Sequence, residues 1–289
     1  MNTLNANSSA IAGNRLQLSR ESLKRFCAFI TAELGIKMTE AKLPMLQSRL
    51  QRRLNALGLP SLEEYQKYLF NSPNAAAERS HFFDEVTTNK TDFFREPSHF
   101  DYLSRVILPE ADPGRRAWTF RVWCAGCSSG EEIYTLAITL AEFAETRPGF
   151  EFSLLGTDIS TRVLAHAEQA IYDESRLAPV PTEIRRKYFL RHRDPARSVV
   201  RVAPELRSKT SFRRLNFMDE NYAVRQTFDA IFFRNVMIYF DRPTQERVVN
   251  RLCRNLRPGG HLFIGHSESL AGLDVPAVPI GASVFSRIQ

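Results

Sequence analysis

From about residue 117 to the end, short apolar runs alternate with amphipathic helical stretches, and this alternation restricts the fold more than any other feature. Strands are expected at Phe120–Ala125, Phe152–Thr157, Phe228–Phe233, His261–Gly265 and Val284–Ile288. Helices are expected at Glu131–Thr146, Ser160–Ala170 and Thr244–Leu256, the last stopped by Arg257-Pro258-Gly259-Gly260. Nearly continuous apolar strands separated by helices are buried on both faces, which predicts a mostly parallel, doubly wound α/β sheet. A chain of 289 residues has room for such a domain and a smaller partner.

The smaller partner reads as helical. A polar, Asn/Ser-rich tail over residues 1–15 precedes an N-terminal helical domain at 16–87. Phe26, Ile30 and Leu34 share one helix face, ended by Gly35; Leu43, Leu46, Leu50, Leu54 and Leu57 share another, opened by Thr39 and stopped at Gly58-Leu59-Pro60. Ser61-Leu62-Glu63-Glu64 opens a third helix with a capping box, and Ala75 to Val86 makes a fourth. Residues 88–116 form a linker and the first helix of the larger domain, 117–289. Arg-rich segments between the strands suggest a small β-containing insertion at about 182–207.

Four cysteines are too few for a disulfide framework, and with a single C-x-x-C and no finger-like histidine spacing no metal site is expected. No leader or spanning segment is read, so a cytoplasmic protein without membrane insertion is expected. The net charge of +7 favours an acidic partner.

The stretch "RVWCAGCSSGEEIYTLAI", residues 121–138, fits three chemistries. Cys124 and Cys127 resemble a thiol–disulfide motif, but Glu131 and Glu132 at the helix start oppose a thiolate. Gly126-Cys127-Ser128-Ser129-Gly130 matches a hydrolase elbow, with His261 and His266 downstream, yet its strand is the first of the sheet rather than a later one. The third reading is a small-residue turn that lets a nucleotide-like cofactor approach the backbone. Two glutamates at that helix end argue against phosphate and for a cationic ligand such as S-adenosylmethionine. Asp158, closing the next strand, is placed to hold a ribose. Structural accounts also exist: Asp158 as a helix cap, and the glutamates as favourable partners of the helix dipole.

Five blocks carry a resemblance: "TTNKTDFFRE" (87–96), 121–138, "TDIS" (157–160), "FRNVMIYFD" (233–241) and "LRPGGHLFIGHSE" (256–268). In these blocks and their order the chain resembles the chemotaxis receptor methyltransferases, the CheR family. The resemblance implies a Rossmann-like methyltransferase sheet with an N-terminal helical domain and a small inserted β-subdomain. It implies S-adenosylmethionine as cofactor, S-adenosylhomocysteine as product, and methylation of receptor glutamates in sensory adaptation. It places Asn89, Thr91 and Arg95 at the cofactor's methionine end, Gly126, Glu132 and Asp158 along it, Asn216 and Phe217 by the adenine, and Asn235 and Val236 nearby. Arg95 and Tyr239 are placed closest to the transferred methyl group.

The expected partner is a Glu-rich cytoplasmic receptor helix, docked by Lys42, Arg49, Arg52 and Arg53 on the second helix, although a solvated basic face is the simpler account. A monomer is expected. A methyltransferase of the same fold acting on RNA or another protein is the alternative, but the basic residues lack the interleaved aromatics that base stacking needs, so nucleic acid is not expected. Some family members tether a receptor peptide through a Gly-containing loop. The corresponding Arg191-His192-Arg193-Asp194-Pro195 has no glycine, so such tethering is not expected.

Overall fold

The computed structural model describes residues 20–111, 114, 117–194 and 196–288. The tail expected over residues 1–15 lies outside them. The chain divides into two units: Met1–Glu33 with Met38–Val86, and Leu34–Lys37 with Thr87–Gln289.

The first unit is helical: α1 (Arg20–Leu34), α2 (Leu43–Leu57), α3 (Leu62–Asn71) and α4 (Ala75–Val86). Its centre is aromatic, with Phe26 against Tyr65, Phe70 and Phe82, and Phe29 against Phe70, Phe82 and Phe83. Leu46, Leu50 and Leu54 line the buried stripe of α2, and Gly58 ends that helix at φ 64°. The Ser61 side chain accepts the Glu64 N–H, as the capping pattern requires. Thr39 opens a single 3-10 turn, Glu40–Lys42, instead of α2 itself, which starts at Leu43 with a proline in its first turn. Arg53 bonds both carboxylate oxygens of Glu78 at 2.7 Å, and the Tyr65 hydroxyl donates to the same buried carboxylate.

In the second unit α5 (Ser98–Tyr102) runs through one π-helical turn, Leu103–Ile107, into α6 (Leu108–Ala111). The strands and helices then alternate: β1 (Trp118–Ala125), α7 (Glu131–Glu145), β2 (Phe150–Asp158), α8 (Thr161–Gln169), β3 (Ile171–Asp173), α9 (Thr182–Tyr188), β4 (Phe189–Arg191), β5 (Val199–Val202), α10 (Pro204–Arg207), β6 (Thr210–Arg214), β7 (Phe228–Phe233), α11 (Arg242–Arg254), β8 (Leu256–Ile264), β9 (Ala277–Gly281) and β10 (Val284–Arg287). Seven strands form the main sheet in the order β6-β2-β1-β7-β8-β10-β9. The first five are parallel, with Val122 opposite Leu154 on one side and Ala230 on the other; β10 runs antiparallel to β8 and β9. Two buried clusters cover the two faces. The strand order reverses at β1, so the crevice beside its carboxyl end is the ligand position of such sheets.

Three elements differ from expectation. Arg257-Pro258-Gly259-Gly260 does not separate helix from strand but lies inside β8, where a register shift against β7 absorbs it. The antiparallel strand β9 was not expected, because Pro279 and its exposed residues hide it. The small sheet, β3-β5-β4, begins at Ile171, earlier than the boundary near 182. A three-residue strand entered through left-handed Ala170 is too short to show alternation. No helix among the described residues is long and apolar enough to cross a membrane.

The helical unit gives a direct test. Glu78→Ala removes a buried carboxylate and leaves the half-buried Arg53 guanidinium and the buried Tyr65 hydroxyl without their partner, which should cost about 1–3 kcal/mol in urea unfolding. Glu85→Ala, which removes the partner of the exposed Arg52, should cost less than about 1 kcal/mol. Equal losses would contradict the structural role of the Arg53–Glu78 pair.

Candidate functional site

The loop after β1 is built from left-handed backbone: Gly126 at φ 86°, Ser128 at 49° and Gly130 at 100°. The N–H groups of Gly126 and Cys127 both donate to the Thr157 carbonyl, at 2.8 and 2.9 Å, which draws the ends of β1 and β2 together. Asp158 accepts the N–H of Ser128 at 2.9 Å and of Ser160 at 3.0 Å. The helix-capping account of Asp158 does not hold, because Ser160 supplies the cap of α8 through its bond to Val163 N–H. The Ser128 hydroxyl donates to the Asn89 carbonyl. No histidine reaches that hydroxyl among the described hydrogen bonds, and both Cys124 and Cys127 are free, buried thiols. Burial, then the nearby carboxylates, push both thiols well above their ordinary pKa. Neither the elbow nor the thiol reading has its chemistry here.

Gly126 faces the β7 side of the crevice. A Cβ added there would meet Val236 Cγ2 at 2.7 Å and Phe217 Cε2 at 4.0 Å. Phe217 is set by edge contacts with Phe233, Tyr222 and Phe240, and Asn216 accepts the Met218 N–H. Asn235 sits at φ 60°, and Met237–Tyr239 is a single 3-10 turn. Glu268 fixes this segment: its carboxylate accepts the N–H groups of Asn235, Ile238 and Gly265. Burial raises the Glu268 pKa despite these donors. Half-buried Tyr239 is held by its backbone, with N–H to the Val236 carbonyl and carbonyl to the Lys37 N–H.

Arg234, the residue after β7, has a side chain with 0% exposure and ties three loops together. It donates to the Arg95 carbonyl at 2.5 Å, bonds Glu96 at 3.0 Å, pairs with Glu132 at 3.1 Å and lies over the Phe100 ring. Glu96 also accepts from the Asn235 amide. Burial alone would raise the Glu96 pKa; Arg234 and the Asn235 bond outweigh it, and the net shift is downward. The other glutamate at the start of α7 has its own cation: Glu131 pairs with Arg176 at 2.7 Å, and Arg176 also donates to the Thr91 carbonyl. The two glutamates therefore already have arginine partners, so their presence alone does not demand a cationic ligand.

The structure thus links Asn89 to Asp158 through Ser128, Gly126 to Phe217 and Val236, and Arg95 to Glu132 and Asn235 through Arg234. Thr91 joins through Arg176, while Asn216 and Tyr239 reach the group through their chain neighbours. Lys42, Arg49, Arg52 and Arg53 belong to the helical unit. Within it Arg53 is 19% exposed and committed to Glu78, Arg52 pairs with Glu85, and Arg49 donates to the Val86 carbonyl. Arg53 is therefore a packing residue and not part of an open basic face. Sequence reasoning missed Arg234, Glu96, Arg176 and Glu268. For Arg234 a signal was present: a charge directly after the apolar run Ala230–Phe233 at a strand end calls for a partner if it is buried.

Two family descriptions match the chain: "CheR methyltransferase, all-alpha domain" over residues 21–87 and "CheR methyltransferase, SAM binding domain" over residues 89–281. The chain is 40% identical over 259 residues to the chemotaxis protein methyltransferase of Salmonella typhimurium, covering 90% of this chain and 87% of that one. It is 38% identical over 272 residues to the chemotaxis protein methyltransferase of Escherichia coli, covering 94% and 92%. It is 36% identical over 280 residues to chemotaxis protein methyltransferase 2 of Pseudomonas aeruginosa, covering 96% and 97%.

The buried cation makes a sharp prediction. Arg234→Met leaves Glu96 and Glu132 without their shared partner and should cost about 3–5 kcal/mol in urea unfolding. A loss below about 1 kcal/mol would show that the network is not structural.

Proposed function

The chain belongs to the CheR methyltransferase family of S-adenosylmethionine-dependent enzymes, and we propose that it methylates glutamate side chains on cytoplasmic helices of chemotaxis receptors, giving glutamate methyl esters. The observation that carries this reading is the convergence of Gly126, Asp158 and Asn235-Val236 at the strand ends beside the reversal of strand order.

The residues fit the cofactor. Only glycine fits at position 126: its φ of 86° is left-handed, and a Cβ would stand 2.7 Å from Val236, so the bare backbone of this turn packs directly against the Asn235-Val236 segment. Asp158, already oriented by two backbone donors, would hold the ribose. Asn216 and Phe217 would flank the adenine, and Asn89, Thr91, Arg95 and Glu132 the methionine end. When bound, S-adenosylmethionine supplies a methyl group activated by its sulfonium.

A glutamate carboxylate has a reference pKa near ~4.3 and is ionised at neutral pH, so no general base is required. The task of the protein is placement of the reacting groups in line. Tyr239 orients the acceptor carboxylate, while Arg95 holds the cofactor's own carboxylate, which avoids blunting the nucleophile. Transfer consumes one negative and one positive charge, so a site drier than water favours it. Lys42, in the 3-10 turn before α2, and Arg49 and Arg52 on α2 complement a Glu-rich helix, with Arg53 bracing their scaffold.

Methyl transfer from labelled S-adenosylmethionine to receptor cytoplasmic fragments, run beside RNA, tests the reading. Base-labile label on the fragments is expected; label on RNA alone would overturn it. Tyr239→Phe should retain cofactor binding and lose turnover, and an unchanged rate removes the hydroxyl from the mechanism. Gly126→Ala combines a strained φ with loss of space and should weaken cofactor binding at least about tenfold by calorimetry, a loss of roughly 1.4 kcal/mol.

A further inference from the structure

Beside the Arg234 network three ligand-bearing side chains converge that the methyl-transfer chemistry does not use. Glu96 precedes α5, His99 lies within it, and His266 follows β8; their ligand atoms all fall within 4.8 Å of one another. The sequence gives no hint of the group, since His266 lies 167 positions beyond His99 and the spacing matches no metal motif.

His99 is 1% exposed, and its Nδ1 has no hydrogen-bond partner among the described residues. Its Nε2 lies 3.3 Å from the Ala282 carbonyl oxygen. A carbonyl only accepts, so in the neutral ring Nε2 carries the proton and Nδ1 presents a lone pair. That lone pair faces Glu96 Oε2 at 3.7 Å, another acceptor. A buried imine nitrogen facing a half-buried carboxylate oxygen is unfavourable unless a proton or a metal ion lies between them, although that oxygen also accepts from Arg234 and from the His266 N–H. The His266 ring is 4.6 Å from the His99 ring, centroid to centroid, and 3.2 Å from the Ser98 hydroxyl through Nε2. His266 is exposed, which gives the position a path from solvent.

We propose that Glu96, His99 and His266 form a three-ligand site for a divalent transition metal ion such as zinc. Two imidazoles with one carboxylate suit zinc, cobalt or nickel and not magnesium or calcium. A backbone carbonyl receiving the far N–H of a ligating histidine is the usual outer support of such sites. Three protein ligands leave one tetrahedral position open on the exposed His266 side. Arg234 bonds the same carboxylate oxygen, so the ion shares Glu96 with it. The local charge permits this, because Glu96 and Glu132 together place two negative charges around one guanidinium.

Equilibrium dialysis of the purified, metal-stripped full chain against zinc should find one ion per chain. Cobalt in its place should give weak visible bands without thiolate charge transfer. His266→Ala, an exposed change that should leave the metal-free melting temperature intact, should weaken uptake at least about tenfold. His99→Asn, with folding checked by the same melt, should do likewise. No uptake by the unaltered chain, equal uptake by His266→Ala, or a thiolate band placing the ion on cysteine would each overturn the site.

Discussion

A guanidinium with no access to water holds this site together. Arg234 leaves the end of β7 and bonds or pairs with three segments at once: the Arg95-Glu96 stretch, the first turn of α7, and, through Glu96, its own neighbour Asn235. Each of these segments carries residues assigned to the cofactor, so their relative placement depends on one planar fork of donors. Lysine, a compact charge on a flexible stem, lacks the rigid fork by which one nitrogen bonds the carbonyl and Glu96 while the other pairs with Glu132. The Phe100 ring beneath the guanidinium closes the remaining face. A second anchor, Glu268, performs the matching task with the opposite charge, collecting three backbone N–H groups so that the segment reaching Tyr239 cannot relax.

Much of the fold was legible because its signals are local. The stripe of leucines on α2, the Ser61 cap and the apolar run of β7 each follow from period and chemistry within a few residues. What escaped was set by pairing at a distance. The Pro-Gly-Gly sequence has every mark of a break, yet β8 passes through it because the neighbouring strand tolerates a shifted register. The strand β3 is defined only by its partner β5.

The site was legible by a different route. Gly126 and Asp158 could be derived from loop chemistry and strand position, and both lie where the sheet reverses. The two glutamates of α7 were read as a demand for a positive ligand. Their arginines, Arg176 and Arg234, come from 45 and 102 positions further along the chain, too far apart for any spacing rule to connect them. A buried carboxylate announces that a cation is near without saying whether it belongs to the protein or to a ligand.

The outer strand β9 carries a consequence of its own. Exposed Val278 and Ile280 on a sheet border form the sort of segment that invites a second chain to add itself. Pro279 stands between them and has no N–H to offer. The residue that conceals this strand from sequence reading therefore also breaks the row of donors along its open rim.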